Sequence, residues 1–175
     1  MITLKRPSPK YEASFIRSVR RSRELHKGWV SPPSTPELFL KYLRALRRRN
    51  CIGFLVVMQE TGDIAGVVNV SEIVQGVFQS GYLGYYAFAP HAGQGLMREG
   101  VSQVIEYCFS ELKLHRLEAN IQPENVRSIS MVRSLGFSKE GFSPRYLKIG
   151  GKWRDHERWA ILKEQWHCPS QVTHI

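Results

Sequence analysis

Residues 90–100 read PHAGQGLMREG, with Gly93 and Gly95 directly ahead of a long helical pattern and no acid until Glu99. Amides at a helix start carry partial positive charge, so carboxylates are favoured in the first turn. A first turn without them suits a foreign anion. Glycines at a strand-to-helix turn let a ligand approach the backbone, where free N–H groups bind phosphate without side-chain charge. Gly93, Gln94, Gly95, Leu96 and Met97 therefore form a candidate pyrophosphate seat, with Arg98 beside it. No Gly-Lys-Ser/Thr follows, so this is not a Walker loop. G-x-G-x-x-G spacing is missing and the preceding strands read as antiparallel, which disfavours a Rossmann turn.

Groups able to move protons are scattered. Glu72 is the one acid between Asp63 and Glu99, at the end of a strand-like run. Tyr82, Tyr85 and Tyr146 are alternatives to it that read as groove-wall or core aromatics, and Glu118 in RLEANI can point to either face of its strand. Asp155 and His156 adjoin in WRDHER (153–158); the pair admits a dyad reading, but a salt-bridge or hydrogen-bond role at the sheet edge in a hairpin is expected. His91 and His115 have no partner spacing. Cys51, Cys108 and Cys168 are far apart and odd in number, so neither a disulfide framework nor a metal site is expected, His167 beside Cys168 included. This usage, with no apolar leader or membrane-length run, predicts a reduced, cytoplasmic protein.

The elements that must position these groups follow from periodicity. ITLKR (2–6) reads as a short strand, and Tyr11, Phe15 and Val19 mark a helix over about 11–26. After the Pro-rich loop GWVSPPSTPE, Ser34 and Glu37 have capping-box spacing and Pro36 suits a first turn. Residues 52–59, 64–74 and 82–89 read as strands. Met97, Val101, Val104, Ile105, Cys108, Phe109 and Leu112 form a helical stripe. HRLEANIQ (115–122) is a strand, 125–136 a helix ended by Gly136, and 137–163 a hairpin turning at Gly150-Gly151. The order predicts an α/β (α+β) domain: a mixed, mostly antiparallel sheet with helices on its faces. The strands flanking GQGLM and its helix should be parallel, because a crossover joins them.

The net charge of +10 is concentrated at one end. Residues 1–50 hold thirteen Lys/Arg and three Glu, whereas the remainder is balanced. Such a field attracts anionic partners, including RNA or acidic protein, and is also what two solvated helix faces would show.

The segment 82–142 resembles the GNAT superfamily of N-acetyltransferases. YLGYYAFAPHAGQGLMREGV is similar to that family's acetyl-CoA strand, phosphate loop and helix. HRLEANIQPENVRSISMVRSLGF is similar to its next strand and helix, through Asn125, Ser128 and Leu135-Gly136-Phe137. EGFSPRYLKIGGKWRDHERWAIL resembles the ending of the ribosomal-protein-alanine acetyltransferase branch, the RimJ/RimL type.

The resemblance implies a single domain over 1–175 with a twisted sheet of about seven strands, four flanking helices and a splayed strand pair for the cofactor. Residues 1–50 would be basic helices bordering the acceptor, 82–142 the acetyl-CoA core and 137–163 the C-terminal hairpin. Backbone of Tyr86, Ala87 and Phe88 would bind pantetheine, amides of Gln94 to Met97 the pyrophosphate. Asn125 would reach the cofactor and Ser128 would lie near the thioester sulfur. The family loop often runs Arg/Gln-x-x-Gly-x-Gly/Ala; here it reads Ala92-x-x-Gly95-x-Met97, which leaves the backbone and Arg98 to carry the anion.

Many relatives use a tyrosine as the thiol's acid where this chain has Val132, so Ser128 becomes the candidate to hydrogen-bond sulfur. Glu72 is the candidate base. Trp29, Tyr82 and Tyr146 are candidate walls for the acceptor. The expected activity is acetyl-CoA-dependent transfer, without a metal, to the N-terminal amine of a ribosomal or other protein. Alternatives are a small amine or lysine side chain as acceptor. A ribosome- or RNA-associated binding module that keeps the pocket, contacting its partner through residues 1–50, is a further alternative.

Overall fold

In the computed structural model, which describes residues 1–167, seven strands form one sheet in the order β1-β2-β3-β4-β5-β7-β6. Cys168 lies outside the described residues. The strands are β1 (Ile2–Lys5), β2 (Ile52–Met58), β3 (Ile64–Val74), β4 (Ser80–Ala87), β5 (Arg116–Ile121), β6 (Ser138–Ile149) and β7 (Lys152–Leu162). Every neighbouring pair is antiparallel except β4 and β5, which the helix after the glycine turn joins in parallel.

That exception opens the sheet. β4 pairs with β5 only from Ser80 to Tyr82, against Arg116 to Glu118. Beyond that point β4 stays on β3 as far as Ala87, and β5 stays on β7 as far as Ile121. The two strands part from Leu83 onward, as the splayed pair requires.

The helices are α1 (Glu12–Arg21), α2 (Arg23–His26), α3 (Pro36–Ala45), α4 (Leu96–Ser110) and α5 (Val126–Ser134). The one helix expected over 11–26 is two, so the expected four helices become five. Ser22 breaks it: its hydroxyl donates to the Ser18 carbonyl at 2.6 Å, a back-bond that competes with the helix ladder. The cap of α3 also moves by one residue. Thr35, not Ser34, accepts from the Leu38 amide, and Pro36 takes the first helical position.

Alternation along the strands divides the interior into two layers. On one face α4 and α5 cover Phe54, Val56, Val68, Leu83, Leu117 and Ile161. On the other, Phe15, Val19 and Phe39 of α1 and α3 cover Leu55, Val57, Val67 and Phe88. Val101, Val104, Ile105, Cys108 and Phe109 of α4 are all 3% exposed or less; burying a large apolar side chain stabilises by about 1.5–3 kcal/mol. A stripe of this kind holds the N-terminus of α4 in place, where the glycine turn sits.

Candidate active site

The turn ahead of α4 is open and unpaired. Gly93 and Gly95 have φ of 82° and 80°, and a side chain placed on either would meet nothing within 4 Å. Gly95 caps α4 in the left-handed conformation with no side-chain cap. The amides of Gln94, Gly95, Leu96, Met97 and Arg98 have no main-chain partner. The Gln94 side chain steadies the turn by donating to the Pro90 carbonyl at 3.1 Å. Met97 lies against Gly66 of β3 and Leu96 joins the core, so both contribute amides while their side chains anchor the turn. Arg98 departs from expectation. Its guanidinium donates to the Ser134 hydroxyl at 3.0 Å and to the Ser134 carbonyl, tying α4 to the end of α5. Nε and Nη2 are engaged there, while its amide stays free at the turn. Five free N–H groups and open space in front of them fit a diphosphate.

The register of β4 shifts the expected main-chain contacts by one residue. The Phe88 amide donates to the Ala65 carbonyl at 2.7 Å. Alternation then turns the polar groups of Tyr86 and Phe88 toward β3 and those of Leu83, Tyr85 and Ala87 toward the parting. The Ala87 carbonyl is already engaged at 2.7 Å by Nε2 of His26, which must carry its hydrogen there because a carbonyl only accepts. Ser22 accepts from the Ala89 amide at 2.9 Å. Burial pulls the His26 imidazole below its ordinary pKa, although the bond to Ala87 opposes this. Neither Ser22 nor His26 is among the residues that the sequence motifs single out. Both continue the stripe of Phe15 and Val19, where a polar residue signals a specific partner.

Between the parted strands a cleft of about 390 Å³ opens. Tyr85 and Ser128 line it and share a 2.6 Å hydrogen bond. Burial pushes the Tyr85 phenol up to about 12, with the bond to Ser128 opposing, so it stays a proton donor at neutral pH. Asn125 also lines the cleft, but its Oδ1 caps α5 by accepting from the Ser128 amide at 3.2 Å. That cap fixes Ser128 rather than reaching outward.

The remaining walls come from distant segments. Trp29 and Pro33 of the loop after α2, Asn120 of β5, Gln122 just past it, Leu147 of β6 and His156 of β7 all face the cleft. Gln122 is 8% exposed and donates to the Gly28 carbonyl at 3.0 Å, holding the Trp29 loop against the end of β5. Oδ1 of Asn120 is enclosed and has no partner among the described residues, an acceptor suited to an incoming N–H. Nδ1 of His156 donates to the Arg154 carbonyl at 2.9 Å. Among the described residues lining the cleft there is no Asp, Glu, Lys or Arg.

Three expected residues fall elsewhere. Glu72 sits exposed at a bulge in β3, with φ of 48° and its carboxylate 3.4 Å from Nδ2 of Asn50. The bulge turns it away from the cleft, so it is withdrawn as the base. Tyr82 lies where β4 and β5 are still paired, one residue before the parting. Its phenol is raised by burial and then by the charge of Glu118. Tyr146 does not line the cleft but packs edge-on to His156, ring centres 6.4 Å apart. Glu118 is held by Arg116 at 2.8 Å. Among the described residues, no cluster of His, Cys, Asp and Glu could hold a metal ion, and no helix is long and apolar enough to cross a membrane.

Residues 2–138 match the acetyltransferase (GNAT) domain family. The chain is similar to the probable N-acetyltransferase YjcK of Bacillus subtilis, at 41% identity over 70% of this chain and 67% of that one. It is also similar to the ribosomal protein uS5-alanine N-acetyltransferase of Escherichia coli, at 41% over 59% of this chain and 54% of that enzyme's length. A fainter likeness, 24% over 87% of this chain and 88% of the other, is to the spermidine N(1)-acetyltransferase of Vibrio cholerae. Among solved structures, Mycobacterium smegmatis RimJ in complex with CoA-disulfide superimposes with a TM-score of 0.82, at 27% identity over 93% of this chain and 82% of that one.

Proposed function

The chain belongs to the acetyltransferase (GNAT) family, and we propose that it moves acetyl from acetyl-CoA to the N-terminal α-amine of a protein, a ribosomal protein being the favoured acceptor. Relatives with a named acceptor divide between ribosomal-protein and spermidine enzymes, and the cleft is what distinguishes the two acceptors.

The absence of carboxylates among its described lining residues carries the choice. A polyamine is a chain of ammonium groups, and each one taken from water needs a charged or multiply hydrogen-bonded partner. Here the polar lining is Asn, Gln, Ser, Tyr and His, all uncharged or weakly basic. The excess of basic residues in 1–50 adds repulsion, and among the described residues no Lys or Arg of that stretch forms an ion pair. A peptide terminus brings one amine, with small side chains and amides behind it. Deprotonating that amine at pH 7 costs about 1 kcal/mol, against about 4.6 kcal/mol for a lysine. A cleft without a carboxylate base suits the easier acceptor.

The residues divide the work as follows. Amides of Gln94 to Arg98 hold the pyrophosphate, and backbone groups of Tyr85 and Ala87 receive the pantetheine as an added strand. Bound acetyl-CoA supplies an acyl group already activated as a thioester. Ser128, backed by the Tyr85 phenol, hydrogen-bonds the sulfur and protonates it as it leaves. Asn120 accepts from the amine, and Trp29 and Pro33 wall the peptide.

Free thiol release from acetyl-CoA tests this reading with Ala- and Ser-starting peptides, the same peptides N-terminally blocked, spermidine and a lysine-rich protein. Turnover is expected with open peptides and should vanish on blocking. Faster turnover with spermidine than with any peptide would overturn the acceptor assignment. CoA binding with no turnover on any amine would favour the binding-module alternative.

A further inference from the structure

The cleft has a donor side in Tyr85 and Ser128, yet Glu72 is no longer available as base. The structure assigns that role to Nε2 of His156, in an inference that rests on the transferase reading above. Three consecutive residues of β7 build the site. His156 is 3% exposed and lines the cleft. The carbonyl of Arg154 can only accept, so Nδ1 of His156 carries the ring hydrogen and Nε2 is the basic lone pair. Nε2 has no partner among the described residues. Unlike the enclosed Nδ1 of His26, it keeps contact with the space of the cleft.

Asp155 completes the arrangement without touching the ring. Its Oδ1 accepts from the Arg145 amide at 2.7 Å, holding Arg145 at a φ of 46°. There Pro144, Arg145 and Tyr146 of β6 stand opposite the single residue Asp155. The resulting bulge brings the Tyr146 ring edge-on to His156. No neighbouring carboxylate competes for the imidazole: Asp155 is occupied with Arg145, and Glu157 with Lys139 and Trp159. Alternation along β5 and β7 puts His156 on the same face as Asn120, opposite the face of Tyr85. Base and acid thus meet the parting from its two sides.

In the step itself, Nε2 of His156 takes one proton from the acceptor ammonium and later gives it to water. The freed lone pair forms the new C–N bond at the thioester carbon, and the C–S bond breaks with its electron pair going to sulfur. The amine nitrogen's second proton passes to the Ser128–Tyr85 pair and replaces the one that the pair delivers to the thiolate. Ammonium and acetyl-CoA become amide, free thiol and one released proton.

The test compares wild type with His156→Asn, whose amide can still donate to the Arg154 carbonyl, and with His156→Ala. The expected result for Asn is a loss of kcat of about 100-fold or more, with CoA affinity by calorimetry within twofold. In the Ala variant, imidazole should restore rate in a concentration-dependent way, while pyrazole, of the same shape but hardly basic, should not. The ring ¹⁵N resonances of His156 in the wild-type protein should report the Nδ1–H form, and Nε2 should shift when an Ala-starting peptide binds. Turnover in His156→Asn within threefold of wild type, equal rescue by pyrazole, or an Nε2–H ring would each overturn the assignment. A wild-type protein inert toward every amine would instead sink the transferase reading, and the ring resonances would still decide the tautomer.

Discussion

The proposed phosphate turn is made from the main chain of one stretch, Gly93 to Arg98, whereas the proposed acceptor cleft is lined by side chains of Trp29, Asn120, Gln122, Ser128 and His156, which span most of the chain. The first needs only a backbone shape, and two glycines with positive φ supply it. The second needs the whole topology before any two of its members meet. An anion seat built from amides tolerates many side chains, while a side-chain wall ties specificity to each residue's identity. The cofactor end should therefore fail through conformation and the acceptor end through chemistry.

The largest expected effect attacks the main-chain side. Gly95→Glu forces a side chain onto a φ of 80°, which costs about 1–2 kcal/mol, and sets a carboxylate facing the diphosphate. CoA affinity by calorimetry should drop roughly 100-fold or more. Unchanged affinity would break the contrast, because the seat would then lie elsewhere. The next effect is on the side-chain side. Ser128→Ala and Tyr85→Phe should each lower kcat roughly 10- to 100-fold with CoA affinity nearly unaltered, and the double variant should be little worse than the poorer single one. Steady-state kinetics with direct CoA binding would check this; additive losses would mean that the two hydroxyls do not act as a unit.

The smallest effect sharpens the comparison by pH. Burial lowers the folded-state pKa of His26 below the ordinary imidazole value. The unfolded chain then takes up the proton first as pH falls. The stability that the neutral ring supports is full above about 6.5 and declines as pH drops toward the lowered value. The fall in Tm between pH 7.5 and 5.5 should be smaller in His26→Gln, by on the order of 2 °C. An identical fall in both proteins would mean that His26 titrates alike folded and unfolded.

Much of this frame is readable from the residues in order. Strand alternation, the Gly150-Gly151 turn and the crossover around GQGLM lead to a mixed, mostly antiparallel sheet and to its one directly bonded parallel pair. The open glycine turn is legible for the same reason, since consecutive amides need consecutive residues. Tyr85 and Ser128 are 43 positions apart and meet only because β4 and α5 border the same parting. Glu72 misled because a non-glycine residue at φ 48° leaves no mark in the sequence, and the bulge it creates reverses where the carboxylate points. His156 sits in a hairpin, as expected. Its place in the cleft depends on β7 lying inside the sheet, between β5 and β6, which local pattern does not reveal.

The short helix α2 has one more consequence. Its last residue, His26, is bonded to β4 through Ala87, and two residues on, Gly28 is bonded to Gln122 beyond the end of β5. These links form a bracket from one lip of the open seam to the other, where the strands no longer hold each other. The aperture is gauged from outside, by a clasp of seven residues that begins at Ser22's grip on Ala89 and closes again at Gly28, so its width belongs to the scaffold rather than to whatever enters it.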